Sequence, residues 1–287
     1  MTDYSVLRDR WGRPLLYPRD DLSYELYRQH KAAGVIEREP YTRASTMAKA
    51  LDDQSGLIGW AKAMVAIGLV KERSLGARVA SLLSRDGANA YANNKTALRD
   101  ITEKAMTAAG SGRAADSGTA FHEFTEIIDD GGWPEYMPYE AEGPMRAYAD
   151  LMQKARARVL DKEPFLTVDE IRVAGSMDKL LNVDGMVMGG DVKSGVNNSK
   201  YPLGVTCQCA IYAHGERYNP ETDERSPLHP DIDLKQAVLI EIPREKNKYG
   251  KFEAAMYLLD IDYGWDAVQL ALDVREARKI PKLKRIA

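Results

Sequence analysis

The spacing of apolar residues changes near Pro164, and this change limits the chain to folds that combine a helical part with a sheet. Upstream, Trp60, Met64 and Ile67 recur at the intervals of an amphipathic helix. Downstream, apolar and polar residues tend to alternate, as they do in β-strands. The dipeptide Asp184-Gly185 between two such runs indicates a two-residue hairpin turn. The sequence therefore predicts helices first and a sheet that contains a hairpin second.

The predicted elements follow one another in a definite order. Helices are predicted at 20–33, 45–53, 57–70, 74–85, 91–109, 117–129 and 139–161. Strands are predicted at 165–173, 176–184 and 187–194, and again at 234–243 and 252–262. A helix at 203–217 and a polar loop at 218–233 separate the two groups of strands, and a helix at 263–279 closes the chain. This order predicts an α/β (α+β) fold in which helices flank a mixed central sheet.

Composition excludes several classes of protein. Forty Lys and Arg against 43 Asp and Glu give a formal charge of −3, so nucleic-acid binding would require a local basic patch. The cysteines, Cys207 and Cys209, are too few for a disulfide framework or a four-cysteine iron–sulfur cluster. The longest apolar run, 57–70, is too short to cross a bilayer, and the first residues do not resemble a secretion leader. We therefore expect a cytoplasmic protein without a membrane anchor.

Three charged residues on two neighbouring predicted strands form the most informative cluster. Asp191 and Lys193 are two residues apart in a strand, so their side chains point to the same face of the sheet. The hairpin turn brings the strand of Asp178 beside them. Two carboxylates on one face suit Mg²⁺, which completes its shell with water and substrate phosphate. A nearby lysine can orient or deprotonate an attacking water and stabilise charge on a phosphate. The alternative is an ordinary surface ion pair.

Two helical pairs extend this cluster. His122 and Glu126 are four residues apart, so a helix places them on one face, and histidine is a ligand that Mn²⁺ accepts. Gln208 and Tyr212 share one face of the helix after the third strand in the same way. The alternatives are a solvated polar face for the first pair and an ordinary polar–aromatic pair on a half-buried helix for the second.

Four short motifs occur in a characteristic order. They are Gly118-Thr119…His122, Gly175…Asp178, Asp191-Val192-Lys193-Ser194-Gly195 and Gln208…Tyr212. Their order, spacing and placement resemble the RecB-like branch of the PD-(D/E)-x-K nuclease superfamily, over roughly residues 115–280. Segments 41–46 and 57–61 are also similar to the helical lead-in of exonucleases encoded by bacteriophages. The resemblance implies a PD-(D/E)-x-K restriction-endonuclease-like core over 115–287, preceded by a helical N-terminal region over 1–114.

The resemblance also implies a site for Mg²⁺ or Mn²⁺. Its ligands would be the side chains of His122, Asp178 and Asp191 and the main-chain carbonyl of Val192. Lys193 would be the catalytic lysine, while Gln208 and Tyr212 would position that lysine or the scissile phosphate. Glu126 would contact the metal through water. No iron–sulfur cluster is expected, since the relatives that carry one use four cysteines.

Basic residues outside this set are candidates for contacts with DNA phosphates. They are Arg43, Arg113, Arg172, Lys200 beside the run Asn197-Asn198-Ser199, and Lys282, Lys284 and Arg285 in the basic tail 275–287. The alternative for each single residue is an ordinary solvated charge. For the tail it is a frayed helix end, where basic residues interact favourably with the helix dipole.

The predicted function is that of a metal-dependent DNA nuclease, an exonuclease rather than a site-specific endonuclease. It would hydrolyse phosphodiester bonds in recombination, repair or phage DNA processing. Its partner would be DNA with linear or single-stranded ends, and a homo-oligomer or a recombination protein is a further option. The rival interpretation is a catalytically inactive DNA-binding or structural protein that keeps the nuclease fold.

Overall fold

The computed structural model describes residues 6–19, 22–111, 113–195 and 198–286, without the side chains of residues 24 and 113–117. The predicted contacts of Asn197 and of the Arg113 side chain lie outside these described residues. The architecture is mixed α/β, as the sequence predicts. In the described part of the chain, no helix is both long and apolar enough to cross a membrane.

Helices occupy most of the first half of the chain. The α-helices are α1 (Tyr24–Ala32), α2 (Ala44–Ala48), α3 (Ser55–Lys71), α4 (Arg73–Asp86), α5 (Ala90–Asn93), α6 (Lys95–Ala109), α7 (Arg113–Asp129), α8 (Tyr139–Lys154), α9 (Leu203–Ala213) and α10 (Ile261–Ala277). Short 3₁₀-helices lie at Lys49–Leu51, Gly87–Asn89, Asp169–Ile171 and Asn198–Lys200. Local capping explains several of the ends. The Ser23 and Asp260 side chains accept hydrogen bonds from the first turns of α1 and α10.

The strands before α7 are two residues long, and those after it have three to nine residues. They are β1 (Leu15–Leu16), β2 (Glu39–Pro40), β3 (Thr42–Arg43), β4 (Ala157–Lys162), β5 (Phe165–Val168), β6 (Val173–Ser176), β7 (Lys179–Val183), β8 (Met186–Ser194), β9 (Glu216–Tyr218), β10 (Arg225–Pro227), β11 (Gln236–Ile242) and β12 (Ala255–Asp260).

The central sheet has the strand order β12-β11-β8-β7-β4. Strands β8 and β11 are parallel, and the other neighbouring pairs are antiparallel. The turn between β7 and β8 has positive φ at Asp184 (49°) and Gly185 (97°), as a type I′ hairpin turn requires. The predicted hairpin is therefore confirmed. Strands β8 and β11 are parallel because α9, which lies between them in sequence, returns the chain to the end of the sheet where β8 begins.

A second sheet, in the order β10-β9-β5-β6-β3, includes residues from both ends of the chain. Strand β3 pairs in parallel with β6, at Thr42 with Val173 and Arg43 with Ala174. The side chain of Arg225 is fully buried beneath this sheet and forms an ion pair with Asp169. The pairing of β3 with β6 attaches the segment around residues 42–43 to this sheet.

Helix α9 supplies much of the packing over the central sheet. Its Val205, Cys209 and Ala210 belong to one buried cluster with Leu239 of β11 and Leu259 of β12. Helix α10 packs on α9, and α8 contacts β4 and β11. Both cysteines, Cys207 and Cys209, are free and buried in α9.

The chain divides into two compact units, each described here by itself. The first contains Met1–Asp52 and Phe124–Ala287, and the second contains Asp53–Glu123. The first holds the strands β1 to β12, whereas the second is helical and has a small core around Leu75, Ile101 and Ala105. This division differs from the boundary predicted at residue 114, because the pairing of β3 with β6 joins the N-terminal residues to the sheets.

Four local predictions are wrong, and tertiary pairing explains each of them. The helix predicted at 139–161 ends at Lys154, since 157–162 pairs with β7 as β4. The strand predicted at 165–173 is a hairpin of β5 and β6. The helix predicted at 203–217 ends at Ala213, and the loop predicted at 218–233 contains β10, because β9 pairs with β5 and β10.

Candidate active site

Asp178 and Asp191 meet where β7 and β8 lie side by side. Asp178 comes directly before β7, whose Lys179 is paired with Gly190 of β8. Asp191 is buried on β8. The backbone N–H of Val192 donates a 2.8 Å hydrogen bond to Oδ2 of Asp178. This bond holds Asp178 against β8, so the structure brings the two acids together in the way the hairpin turn predicts.

Lys193 forms an ion pair with the buried acid and is itself partly exposed. Its Nζ atom lies 2.5 Å from Oδ2 of Asp191. The Asp191 side chain is 3% exposed, whereas that of Lys193 is 38% exposed. The two therefore do not form the surface ion pair that the sequence left open, because one partner is buried and the other reaches solvent.

Helix α9 adds two polar side chains above this pair. Gln208 Nε2 donates to Oδ1 of Asp191 at 3.3 Å. Tyr212, one turn later, is buried against Gly175, where an added Cβ would come within 3.0 Å of the tyrosine hydroxyl. Glycine at position 175 therefore leaves room for the phenol close to Asp178. The structure places Gln208 and Tyr212 at the same site, as their spacing predicts.

The electrostatics of the site are dominated by two close carboxylates. Burial, together with repulsion from Asp178, raises the pKa of the Asp191 carboxyl to about 7, while Lys193 acts in the opposite direction. Burial alone would lower the pKa of Lys193, but the attraction of both carboxylates outweighs it and raises that pKa. Burial and the same carboxylates raise the pKa of Tyr212 well above its usual range. Lys193 is therefore charged and Tyr212 neutral at physiological pH.

The residues present fit a hard divalent cation. Among the described residues, the buried Oδ2 atom of Asp191 contacts the Lys193 ammonium and accepts no other hydrogen bond. Carboxylate oxygens are the ligands that Mg²⁺ and Mn²⁺ prefer, and Mg²⁺ commonly uses only one or two of them. Within the described residues, no group of three or more His, Cys, Asp and Glu side chains is placed to hold a metal. Asp178 and Asp191 are thus the pair that the structure assembles.

Two further predicted ligands lie on α7. His122 and Glu126 are one turn apart on this helix and both are partly buried. His122 belongs to the second compact unit and Glu126 to the first, so their roles at the metal stay predictions. The role of the Val192 carbonyl also stays a prediction, whereas the N–H of the same residue is the group that holds Asp178.

The predicted DNA-binding residues are dispersed over the molecule. Arg43 is exposed where β3 meets α2, and Lys200 is exposed at the end of a 3₁₀-turn. Arg172 is paired with Glu39 at 3.4 Å and lies over the ring of Tyr41. The tail residues Lys282, Lys284 and Arg285 are exposed beyond the end of α10. Contact of any of these with DNA stays a prediction.

Sequence reasoning missed Glu241, which lies beside Lys193 in the register of β11 and β8. Its carboxylate accepts hydrogen bonds from the Asn198 N–H at 2.8 Å and from the Ser199 hydroxyl at 3.1 Å. Glu241 therefore holds the turn that follows the strand of Asp191 and Lys193. The signal in the sequence is a single acid within the apolar run 237–242.

Comparison with known proteins adds no family to this description. No protein-family model matches the chain, and no curated protein is significantly similar to it. The function therefore has to be inferred from the site itself.

Proposed function

We propose that this protein is a divalent-metal-dependent deoxyribonuclease that digests DNA from its ends. The observation that carries the proposal is the contact of buried Asp191 with both Lys193 and Gln208, directly beside Asp178. Two carboxylates that can hold a divalent cation, with a lysine and a neutral polar group beside them, can together support hydrolysis of a phosphodiester. A mixed sheet flanked by helices, with one acid on β8 and the other directly before its neighbour β7, supports the PD-(D/E)-x-K core that the motifs imply.

Each side chain has a role that follows from its position. Asp178 and Asp191 would hold Mg²⁺ or Mn²⁺, with His122 as a further predicted ligand. When bound, such an ion lowers the pKa of water towards neutrality and stabilises charge on the phosphate. The Lys193 ammonium contacts the buried carboxylate and its side chain is partly exposed, so it would also bind phosphate oxygens that approach from solvent. Gln208 fixes the orientation of the Asp191 carboxylate.

The test is digestion of linear and circular DNA with and without Mg²⁺ or Mn²⁺. We expect the wild-type protein to degrade linear DNA only when the metal is present, and to leave circular DNA intact. Asp191→Ala should abolish cleavage. Asp161→Ala is the matched control, because Asp161 lies on β4 of the same sheet and is paired with Arg217 instead.

Three results would change the proposal. Cleavage that persists in Asp191→Ala would contradict the assigned site. Binding of DNA by the wild-type protein without any cleavage would support the inactive DNA-binding alternative. Cutting of circular DNA would assign an endonuclease in place of an exonuclease.

A further inference from the structure

The segment that follows the last helix exposes apolar side chains to solvent. Ile280, Leu283 and Ile286 are 76%, 94% and 99% exposed, although side chains of this kind usually lie inside a protein. Residues 279–286 form neither a helix nor a strand. The three apolar residues recur at every third position, which is the period of an extended polyproline II segment, and Pro281 favours that conformation. This segment, called the tail below, therefore presents one apolar edge.

The tail is also basic. Lys279, Lys282, Lys284 and Arg285 are all exposed, and residues 279–286 include no Asp or Glu. Basic side chains on an apolar segment favour a partner surface that has apolar walls and carries negative charge, because both the apolar contacts and the charges are then complementary.

A groove of this kind lies along β12, the edge strand of the central sheet. Its volume is about 470 Å³, and it is lined by β11, β12 and the first turns of α9 and α10. Tyr257, Leu258 and Tyr263 form exposed parts of its walls. Asp260 contributes a carboxylate, and the described lining includes no lysine or arginine. Aromatic-lined grooves are a common site for extended segments of the polyproline II type, so the groove is complementary to the tail in shape and charge.

The tail cannot fill the groove of its own chain. Tyr263 lines the groove at the start of α10, whereas the tail follows the end of this helix at Ala277. The helix between these two residues is about 21 Å long, at a rise of about 1.5 Å per residue. An extended chain spans at most about 3.6 Å per residue, so Ile280 lies within about 11 Å of Ala277, and Leu283 within about 22 Å. The apolar edge as a whole can therefore enter only the groove of another molecule.

We propose that the tail of one copy of this chain docks in the groove of a second copy. The apolar edge of the tail packs between Tyr257 and Tyr263, and its basic side chains face Asp260. Each copy offers one tail and one groove, so the contact joins copies into a dimer or a larger assembly. The proposal goes beyond the nuclease function and does not depend on it, because neither surface includes a residue of the candidate active site.

The first experiment measures the mass of the full-length protein by light scattering over a range of concentrations. Leu283→Asp in the tail and Tyr263→Ala in the groove should each raise the Kd of self-association about tenfold or more, because each removes an apolar side chain from the contact. Tyr263→Phe keeps the ring, so its Kd should stay close to that of the wild type. Val35→Asp is the matched control, because Val35 is 64% exposed in the loop after α1 and does not line the groove. Circular dichroism establishes that each variant is folded.

The second experiment mixes the two variants and tests exchange between copies directly. Leu283→Asp keeps an intact groove, and Tyr263→Ala keeps an intact tail. The mixture should therefore associate again, and it should stop at a dimer because only one complementary contact remains. Fluorescence energy transfer between the differently labelled variants, together with light scattering, measures both statements.

The outcomes are distinct from those of the nuclease test. A wild-type protein that stays monomeric at every concentration overturns the proposal, and so does a mixture of the two variants that does not associate. An equal loss of association in Val35→Asp overturns the assigned surfaces. A monomeric protein that loses DNA affinity when Lys282 and Lys284 are replaced by alanine assigns the tail to DNA instead of a second copy. Cleavage that depends on metal and Asp191 in a monomeric protein leaves the nuclease in place and rejects only the docking of the tail.

Discussion

Two neighbouring strands of the central sheet each carry a lysine that is paired with an aspartate, and the two pairs differ in burial and in the charge around them. Lys179 of β7 pairs with Asp129, and both side chains are at most 2% exposed. The Tyr148 hydroxyl donates a 2.6 Å hydrogen bond to the other oxygen of Asp129. Every charge in this first pair therefore has a partner inside the protein.

The pair of Lys193 and Asp191 on β8 has an excess of negative charge by comparison. Asp191 lies beside a second carboxylate, Asp178, whose charge acts on the pKa values of both Asp191 and Lys193. Its lysine reaches solvent. A buried pair whose charges balance has a structural role. A partly exposed pair with excess negative charge can also bind a cation and a substrate.

The largest difference is expected when each lysine is replaced by methionine. Lys193→Met should lower kcat by about 100-fold or more, because the charge that binds the phosphate in the transition state is removed. Its free energy of unfolding should change less than that of Lys179→Met, because Asp191, whose pKa is already raised to about 7, can take up a proton when the lysine is lost. Steady-state cleavage of linear DNA and urea denaturation measure the two effects. A normal kcat in this variant would remove Lys193 from the site.

Lys179→Met should show the opposite pattern. Removing one partner of a buried pair leaves Asp129 charged and enclosed, which costs about 3–5 kcal/mol of stability. The fraction of protein that stays folded should cleave DNA at close to the wild-type rate. Lys162→Met is the control, because Lys162 pairs with the exposed Asp130 and should lose less than about 1 kcal/mol. Equal stability of the two variants would contradict this view of the buried pair.

A smaller effect is expected from Tyr148→Phe. The variant keeps the ring and loses the hydroxyl that donates to Asp129, so stability should fall by about 2 kcal/mol. The affinity for metal should stay unchanged. Urea denaturation and metal titration test the two statements, and a weaker metal affinity would show that the two pairs are coupled.

An effect of the opposite sign is expected from Asp191→Asn in metal-free protein at pH 8. Burial and Asp178 raise the pKa of Asp191 from 3.8 to about 7, so its charged form destabilises the fold and its removal should add up to about 4 kcal/mol. The folded-state pKa is above the unfolded value, so this gain should decrease as the pH falls from 7 towards 4. Thermal unfolding in EDTA measures it. Added Mn²⁺ should then stabilise the wild type and not the variant.

Much of the site could be predicted because its determinants are local. The Asp184–Gly185 turn and the alternation of strand side chains are enough to group Asp178, Asp191 and Lys193. Helical spacing in the same way predicts that Gln208 and Tyr212 act together. Each of these inferences depends on backbone geometry over a few residues, which the amino-acid sequence specifies directly.

The remaining features depend on contacts between distant segments. Fifty positions separate Lys179 from Asp129, and nothing in either local sequence indicates their pairing. Strand β4 was predicted as helix because its residues favour helices, and pairing with β7 overrides that preference. The two-residue strand β3 has no sequence signal at all and exists because β6 offers it hydrogen bonds.

The sequence by itself determined the hairpin, the face on which its charged residues lie and the helix that covers them, because these follow from turns and periodicity. Only the tertiary structure decided which charged side chains are buried with their partners and which reach solvent. Burial and the number of hydrogen-bond partners depend on every element packed around a residue. The same two residue types therefore form a fully buried pair at Lys179 and, at Lys193, a partly exposed pair beside a second carboxylate.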